Sequence, residues 1–271
     1  MLDRLNPLKH PIALAEPRRL TPYSAWHEHI PFAMMLMDIA RPRTLVELGT
    51  HAGDSYSAFC QAVEKLALPT KCFAVDTWAG DEHSKAYGSQ ILDDLRAHQD
   101  SLYGDFSELM RSTFDDARKR FSDGSIDLLH IDGFHTYDAV RHDFETWLPT
   151  LSDRGIVLFH DTAVTEFGFG VKTFWDEIRT KYPSFEFVHG FGLGVLATGP
   201  TQPDEVRDLT TASTEETHAL RDLFASLGKR LSRQVEIGRM QQSADEITKS
   251  PGWRILKRLD RLHLRLIPPS S

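Results

Sequence analysis

Apolar residues in this chain fall into two alternating patterns, short unbroken runs and longer amphipathic stretches. The runs are Arg43–Leu48, Cys72–Val75, Phe106–Arg111, Leu128–Ile131, Ile156–Phe159, Phe185–Val188 and Leu193–Ala197. Each has the length and composition of a strand buried in a sheet. Between them, Trp26–Ile39, Tyr56–Leu66, Gln90–Leu102, Asp138–Leu148 and Thr173–Tyr182 carry helical periodicity, and Phe114, Ala117 and Phe121 mark one short helical face. Strand and helix alternating in this way predict an α/β fold, a Rossmann-like doubly wound sheet. Seven strands are expected, mostly parallel, with a final reversed strand entered through the hairpin His189-Gly190-Phe191-Gly192.

The same pattern divides the chain. Residues 1–25 read as an irregular, proline-rich segment, residues 26–200 as the α/β domain, residues 201–217 as a polar, acidic linker, and residues 218–271 as a helical extension. In the extension, Leu220, Leu223, Phe224, Leu227, Leu231 and Val235 recur at helical spacing. That face needs a partner, either the domain itself or a second copy of the chain in a homo-oligomer. From Pro251, Ile255, Leu259, Leu262 and Leu266 form one stripe and Arg254, Lys257, Arg258, Arg261 and Arg265 another. Such a basic amphipathic helix reads as a membrane-surface or partner-binding element, or as an ordinary terminal packing helix.

Charge and composition narrow the classes. The net charge of −8 argues against a nucleic-acid binder, which needs a basic face for phosphates. Residues 249–271 carry a net +5, which leaves −13 on the rest. A 41% apolar fraction and a mean hydropathy of −0.34 are those of a soluble domain, without a run of about 18 apolar residues to span a bilayer. The N-terminus lacks a signal-peptide apolar core, so a cytoplasmic protein, peripheral at the membrane through its tail, is expected. Cys60 and Cys72 are too few for a disulfide framework and read as buried core thiols.

Chemistry concentrates where strands end. In an open α/β sheet, ligands bind at the carboxyl ends of strands, so Asp132 and His135 after one run and His160 and Asp161 after the next should converge on one crevice. Two carboxylates and two imidazoles suggest a general base, a metal site, or both. Upstream, Glu47-Leu48-Gly49-Thr50-His51-Ala52-Gly53-Asp54-Ser55 joins a strand to a helix, and its two glycines allow a tight turn and close approach to a ligand. The spacing departs from the G-x-G-x-x-G of dinucleotide sites and lacks the G-K-[ST] of a phosphate loop. The next strand ends in Asp76, followed by Thr77 and Trp78, and an acid there is placed to accept from ribose hydroxyls. Asp81–Gly88 reads as a polar lid, and Trp78, Tyr87, Phe134 and Phe169 as aromatics near the mouth. His27, His29, His130, His142 and His189 read as structural.

These motifs, VELGTHAGDSY, VDTWAGD and IDGFHTYDAVRHDFETWLP with FHD after the following strand, resemble the class I S-adenosylmethionine-dependent methyltransferases. The chain looks most like the branch of metal-dependent sugar O-methyltransferases of macrolide pathways and bacterial glycan-associated methyltransferases, over roughly residues 26–199. The resemblance implies S-adenosylmethionine held by Glu47, Gly49, Thr50, His51, Gly53, Ser55, Asp76, Thr77, Trp78, Ser112, Thr113 and Asp132. It implies His135, in the D-x-x-H pattern with Asp132, as the base that takes a hydroxyl proton, which suits imidazole chemistry. It also implies a divalent metal on Asp132, Asp161 and the residue before it. That residue is His160 here, where the family has glutamate, and a nitrogen ligand suits manganese, iron or zinc better than magnesium. The expected acceptor is a sugar or glycan hydroxyl, with a phenolic or other small-molecule hydroxyl as the alternative. A non-catalytic scaffold of the same fold in glycan assembly is a further alternative.

Overall fold

The computed structural model describes residues 3–80, 90–166, 168–253 and 255–257. Its sheet has seven strands, β1 (Thr44–Leu48), β2 (Lys71–Asp76), β3 (Ser107–Arg111), β4 (Ile126–Ile131), β5 (Leu151–His160), β6 (Ser184–Phe187) and β7 (Leu193–Ala197). Their spatial order is β3-β2-β1-β4-β5-β7-β6. The first five are mutually parallel, and β7 runs antiparallel to both neighbours. The reversed strand is therefore last in the chain but lies inside the sheet, with β6 at the edge. The expected doubly wound architecture is present.

Side chains on the parallel strands alternate between two apolar layers, as the strand period requires. Leu45, Ala74, Leu128, Ile156 and Leu158 face α1 (Ile30–Ala40) and α2 (Asp54–Lys65). Val46, Leu48, Leu129, Ile131, Val157 and Phe159 face α4 (Phe114–Arg118), α5 (Tyr137–Trp147) and α6 (Val171–Ile178). Between β2 and β3, α3 (Gln90–Tyr103) adds a small cluster in which Trp78 meets Leu92 and Leu95.

Three boundaries differ from the sequence expectation. The first helix does not run unbroken from Trp26. A 3-10 segment covers Ser24–His29 and α1 starts at Ile30, with Pro31 in its first turn. A proline ring there would clash with the carbonyl four residues back in a continuous α-helix. Residues 201–217 are not a loose linker. They contain α7 (Asp204–Thr210), whose Val206 and Leu209 are buried in the main core, and a capping box of Ser213 and Glu216 that starts α8 (Thr214–Lys249). The N-terminal segment, expected to be irregular, contains a 3-10 turn at Pro11–Leu14, and its Leu5, Ile12 and Ala13 are buried in that core.

The apolar face of α8 finds its partner in the domain itself. Leu220, Phe224 and Leu231 are buried, and Gly228 lies so close to the Ser24–His29 segment that a Cβ would come within 2.1 Å of the Glu28 carbonyl oxygen. Beyond Leu231 the helix is largely exposed, including Ile237, Met240 and Ile247. The expected lid at residues 81–88, with Tyr87, lies outside the described residues, as do Arg254 and residues 258–271, which carry most of the basic stripe. Among the described residues, no helix is long and apolar enough to cross a membrane.

An ion pair between the buried Asp127 carboxylate and the largely exposed Arg43 side chain ties the start of β1 to the foot of β4 and β5. Asp127 accepts from the Arg43 backbone N–H at 2.8 Å, from Arg43 Nε and Nη2 at 2.9 Å each, and from Ser152 Oγ at 2.6 Å. Burial works to raise its pKa, but the Arg43 and Ser152 hydrogen bonds outweigh it and bring the value down to about 2. A depressed folded-state pKa means a stabilising contribution present above the unfolded value near 4 and lost as pH falls toward about 2. Asp127→Asn is expected to destabilise the fold by roughly 1–3 kcal/mol at pH 7. In urea denaturation, the gap from wild type should narrow between about pH 4 and about pH 2.

Candidate active site

The site lies at the carboxyl edge where β1 and β4 adjoin. Leu48 pairs with Ile131, and Asp132 N–H donates to the Leu48 carbonyl at 2.8 Å, so the loops after the two strands start side by side. Gly49 makes this possible, since its φ is +84° and a Cβ would lie 2.0 Å from the Asp132 carbonyl oxygen. Gly53, with φ +79°, then starts α2 against Leu95.

Asp76 holds this glycine loop in shape. Its Oδ2 accepts from Thr50 N–H at 3.0 Å and His51 N–H at 2.8 Å, and its Oδ1 from Trp78 N–H at 2.7 Å. Its carboxylate still faces the adjoining cavity, with acceptor capacity left for a ligand hydroxyl. That cavity, of about 610 Å³, is within the range of cofactor sites. It is lined by Gly49, Thr50, His51, Gly53, Ser55, Asp76, Thr77, Thr113, Asp132, His135, His160 and Asp161 among the residues expected from the sequence. Thr50 Oγ1 is buried with no hydrogen-bond partner among the described residues.

Three expected cofactor residues do not line it. Glu47 is fully buried beneath the sheet edge and pairs with His130 at 2.8 Å, its register neighbour on β4. The Trp26 indole N–H donates to His130 Nε2 at 3.2 Å, so the imidazole proton sits on Nδ1 and is donated to Glu47. Strand alternation explains this placement, since Glu47 shares its side of β1 with Leu45. Trp78 is buried against α3, and its indole N–H donates to the His51 carbonyl at 2.9 Å, so it braces the loop from behind. Ser112 turns its hydroxyl to the Thr113 carbonyl at 3.0 Å.

The acidic and histidine residues do converge. One possible ligand atom each of Asp132, His135 and Asp161 lies within 4.8 Å of the others, and His135 Nε2 is 3.8 Å from Asp132 Oδ1 and 2.9 Å from Asp161 Oδ2. His160 stands behind them, its Nδ1 3.2 Å from Asp132 and 3.5 Å from Asp161, and its Nε2 3.3 Å from the Gly190 carbonyl. Both of its nitrogens face oxygen acceptors, so His160, expected from the sequence as a metal ligand, here stands as a donor to them. The corner that could hold a metal is Asp132, His135 and Asp161.

Charge in this corner is mutually stabilised. Burial disfavours the His160 cation, but the facing Asp161 and Asp132 carboxylates hold its pKa well above the usual value. Burial likewise acts to raise both aspartates, and the His160 charge together with the His135 and His160 hydrogen bonds outweighs it, bringing Asp161 to about 2 and Asp132 well below the usual carboxylate range. His135 is desolvated as well, yet its contacts with Asp132 and Asp161 lift it to about 9. Phe169 stacks on its ring at 4.4 Å and 2°.

Other residues at the cavity were not among the site residues expected from the sequence. Tyr23, Ala25 and Trp26 come from the segment before α1, Asp54 from the first turn of α2, and Val164 and Phe191 from the loops after β5 and β6. Phe134 and Phe169 line it as expected. His29, expected to be merely structural, is fully buried and donates Nε2–H to the same Gly190 carbonyl at 2.8 Å, so two imidazoles hold the β6–β7 turn.

Comparison with known proteins matches this picture. Residues 46–162 match a family model described as a methyltransferase domain, a segment running from β1 to just past Asp161. The uncharacterized protein y4gI of Sinorhizobium fredii is 46% identical over 220 residues, covering 80% of this chain and 24% of that protein. The chain thus spans about a quarter of the length of this curated relative. Among solved structures, a putative caffeoyl-CoA O-methyltransferase from Staphylococcus aureus superposes with a TM-score of 0.51 at 12% identity, over 73% of this chain and 95% of that one. The SAH-bound methyltransferase PaMTH1 of Podospora anserina gives a TM-score of 0.50 at 12% identity, over 72% and 94%. At that identity the likeness is one of fold. Residues 46–162 thus match a methyltransferase domain, and the solved structures share the fold of the whole sheet.

Asp76→Ala should weaken S-adenosylmethionine binding by about 1.5–3 kcal/mol, the scale of charge-assisted hydrogen bonds to a buried ligand. Because the same carboxylate caps Thr50 and His51, the melting temperature should fall too. Calorimetry and thermal denaturation on one preparation check both, and an unchanged dissociation constant would remove Asp76 from the site.

Proposed function

We propose that the protein is an S-adenosylmethionine-dependent O-methyltransferase whose acceptor is a hydroxyl of a sugar or glycan. The observation that carries this reading is the single cavity that joins the glycine loop and Asp76 to Asp132, His135 and Asp161. One part suits a nucleoside cofactor, the other a hydroxyl that must lose a proton. In the reaction, the acceptor oxygen attacks the sulfonium methyl in line, the carbon–sulfur bond breaks, and S-adenosylhomocysteine leaves. Nothing covalent forms with the protein, so the acceleration rests largely on positioning, which can supply roughly 7–11 kcal/mol.

His135 is assigned the hydroxyl proton, taken at Nε2, the nitrogen that faces Asp161 at 2.9 Å. Facing the two carboxylates alone, the imidazole keeps its own proton at neutral pH. A cation or an acceptor hydroxyl that engages Asp132 and Asp161 removes the interactions that raise its pKa and returns it to the range where it accepts one. The corner fits a divalent metal on the converging Asp132 and Asp161 carboxylates, which would leave His135 Nε2 free of the metal and able to take the proton. Bound there, a metal would supply Lewis-acid polarisation of the hydroxyl. His160 orients both carboxylates from behind in either case.

The sugar reading rests on the Asp132–His135 spacing and the carboxylate supplied by the next strand. A phenolic acceptor is the second reading, favoured by the aromatic side chains Tyr23, Phe134, Phe169 and Phe191 along the cavity. Mass spectrometry of saccharides and of catechols incubated with labelled S-adenosylmethionine decides between them. A protein that binds the cofactor but methylates neither class would favour the scaffold alternative.

His135→Ala is expected to leave cofactor affinity nearly intact while lowering turnover by about 100-fold or more, the usual share of a positioned general base. Calorimetry and steady-state rates measure the two effects separately. If turnover barely moves, the proton leaves by another route.

A further inference from the structure

The residues before α1 lie outside the segment that matches the methyltransferase domain, yet they are fastened to the glycine loop at several points. Arg19 Nε donates to the Ala52 carbonyl at 2.7 Å, and its side chain is only 10% exposed. Thr21 donates twice to Asp54, through N–H to Oδ1 at 2.7 Å and through its hydroxyl to Oδ2 at 2.5 Å. His27 Nε2, fully buried, lies 3.3 Å from the same carboxylate. Further back, Gln61 on α2 accepts from Arg18 N–H at 2.7 Å and donates to the Glu16 carbonyl at 2.8 Å. This stretch is irregular but tightly held, because its polar groups are spent on side chains and carbonyls of the loop and helix that shape the cavity.

Tyr23 is the exception within the strap. Its N–H donates to Thr21 Oγ1 at 3.2 Å, but the residue is 51% exposed and lines the cavity. It meets the His51 ring edge-on, with centroids 4.5 Å apart at 77°, and His51 itself has a left-handed φ of +47° in the glycine loop. A large amphipathic ring on an immobilised backbone, facing a cavity, has apolar surface to bury against a ligand at low entropic cost.

We propose that residues 16–27 form a cofactor-binding strap in which the Tyr23 ring covers bound S-adenosylmethionine, while Thr21 acts as a positioning residue that sets the glycine loop through Asp54. The proposal rests on the cofactor reading above and adds a wall to that pocket from outside the matched domain. Tyr23 touches the ligand through its ring face, so its hydroxyl is dispensable. Thr21 never touches the ligand, and its hydroxyl is what matters.

The test is calorimetric titration with S-adenosylhomocysteine, alongside thermal denaturation of each protein. Tyr23→Ala is expected to raise the dissociation constant about tenfold with the melting temperature unchanged, and Tyr23→Phe to restore it. Thr21→Val should weaken binding and Thr21→Ser rescue it. A Tyr23→Ala protein that binds as tightly as wild type overturns the strap. So does a loss of affinity that comes with a fall in melting temperature and is not restored by phenylalanine, since the ring would then serve folding. Wild-type protein that does not bind S-adenosylhomocysteine would bring down the cofactor reading itself, an outcome distinct from the other two.

Discussion

The contact on which the site depends is the pairing of β1 with β4. These strands are far apart in sequence, and the chain leaves β1 toward β2 on one side before returning to place β4 on the other. At such a switch point the loops after the two strands diverge and leave a crevice between them. Here the crevice is held to close tolerance, with Asp132 N–H on the Leu48 carbonyl and the α-carbon of Gly49 against the Asp132 backbone. A side chain at position 49 would push the glycine loop away from Asp132.

Given that adjacency, the half-buried Asp132 and the buried Asp161 carboxylates face one another at the mouth, an arrangement that would be unstable unless neutralised. His160 and His135 supply the countercharge. His160 is fixed by the Gly190 carbonyl, and so is His29, which links the corner to the β6–β7 turn and to the start of α1. That turn holds Gly190, Phe191 and Gly192 in consecutive left-handed conformations, with Phe191 at the cavity. Local strain of this kind persists only where the surroundings over-determine it, as two buried imidazoles do here.

The same short 3-10 segment also receives the far end of the chain. Gly228 of α8 packs against the Glu28 backbone, one residue from His27 and from His29. The C-terminal helix is thereby joined to the wall that carries Trp26 and, a few residues earlier, Tyr23. Helix α8 thus bears on the cavity wall through this one segment.

Much of the fold was legible because its signals are local. Unbroken apolar runs mark strands buried on both faces, helical periodicity marks the covers, and polar residues at strand ends mark the functional edge. On this basis the seven strands, the glycine loop, Asp76 and the group Asp132, His135 and Asp161 were readable. Side-chain partners were not, because they depend on which strand lies beside which. Glu47 looked like a cofactor acid and proved to belong to His130, since alternation turned it under the sheet next to its register neighbour. His160 looked like a ligand and became a donor, because the Gly190 carbonyl, thirty residues on, occupies its other nitrogen. Tyr23 carried no signal at all, as an aromatic in an irregular segment acquires meaning only from the loop it packs against. Sequence by itself determined which elements form and which edge bears the chemistry, because strand and helix periodicities are written in neighbouring residues. Tertiary structure decided which polar group meets which, because hydrogen bonds and ion pairs in a buried site join residues whose separation along the chain says nothing about their distance in space.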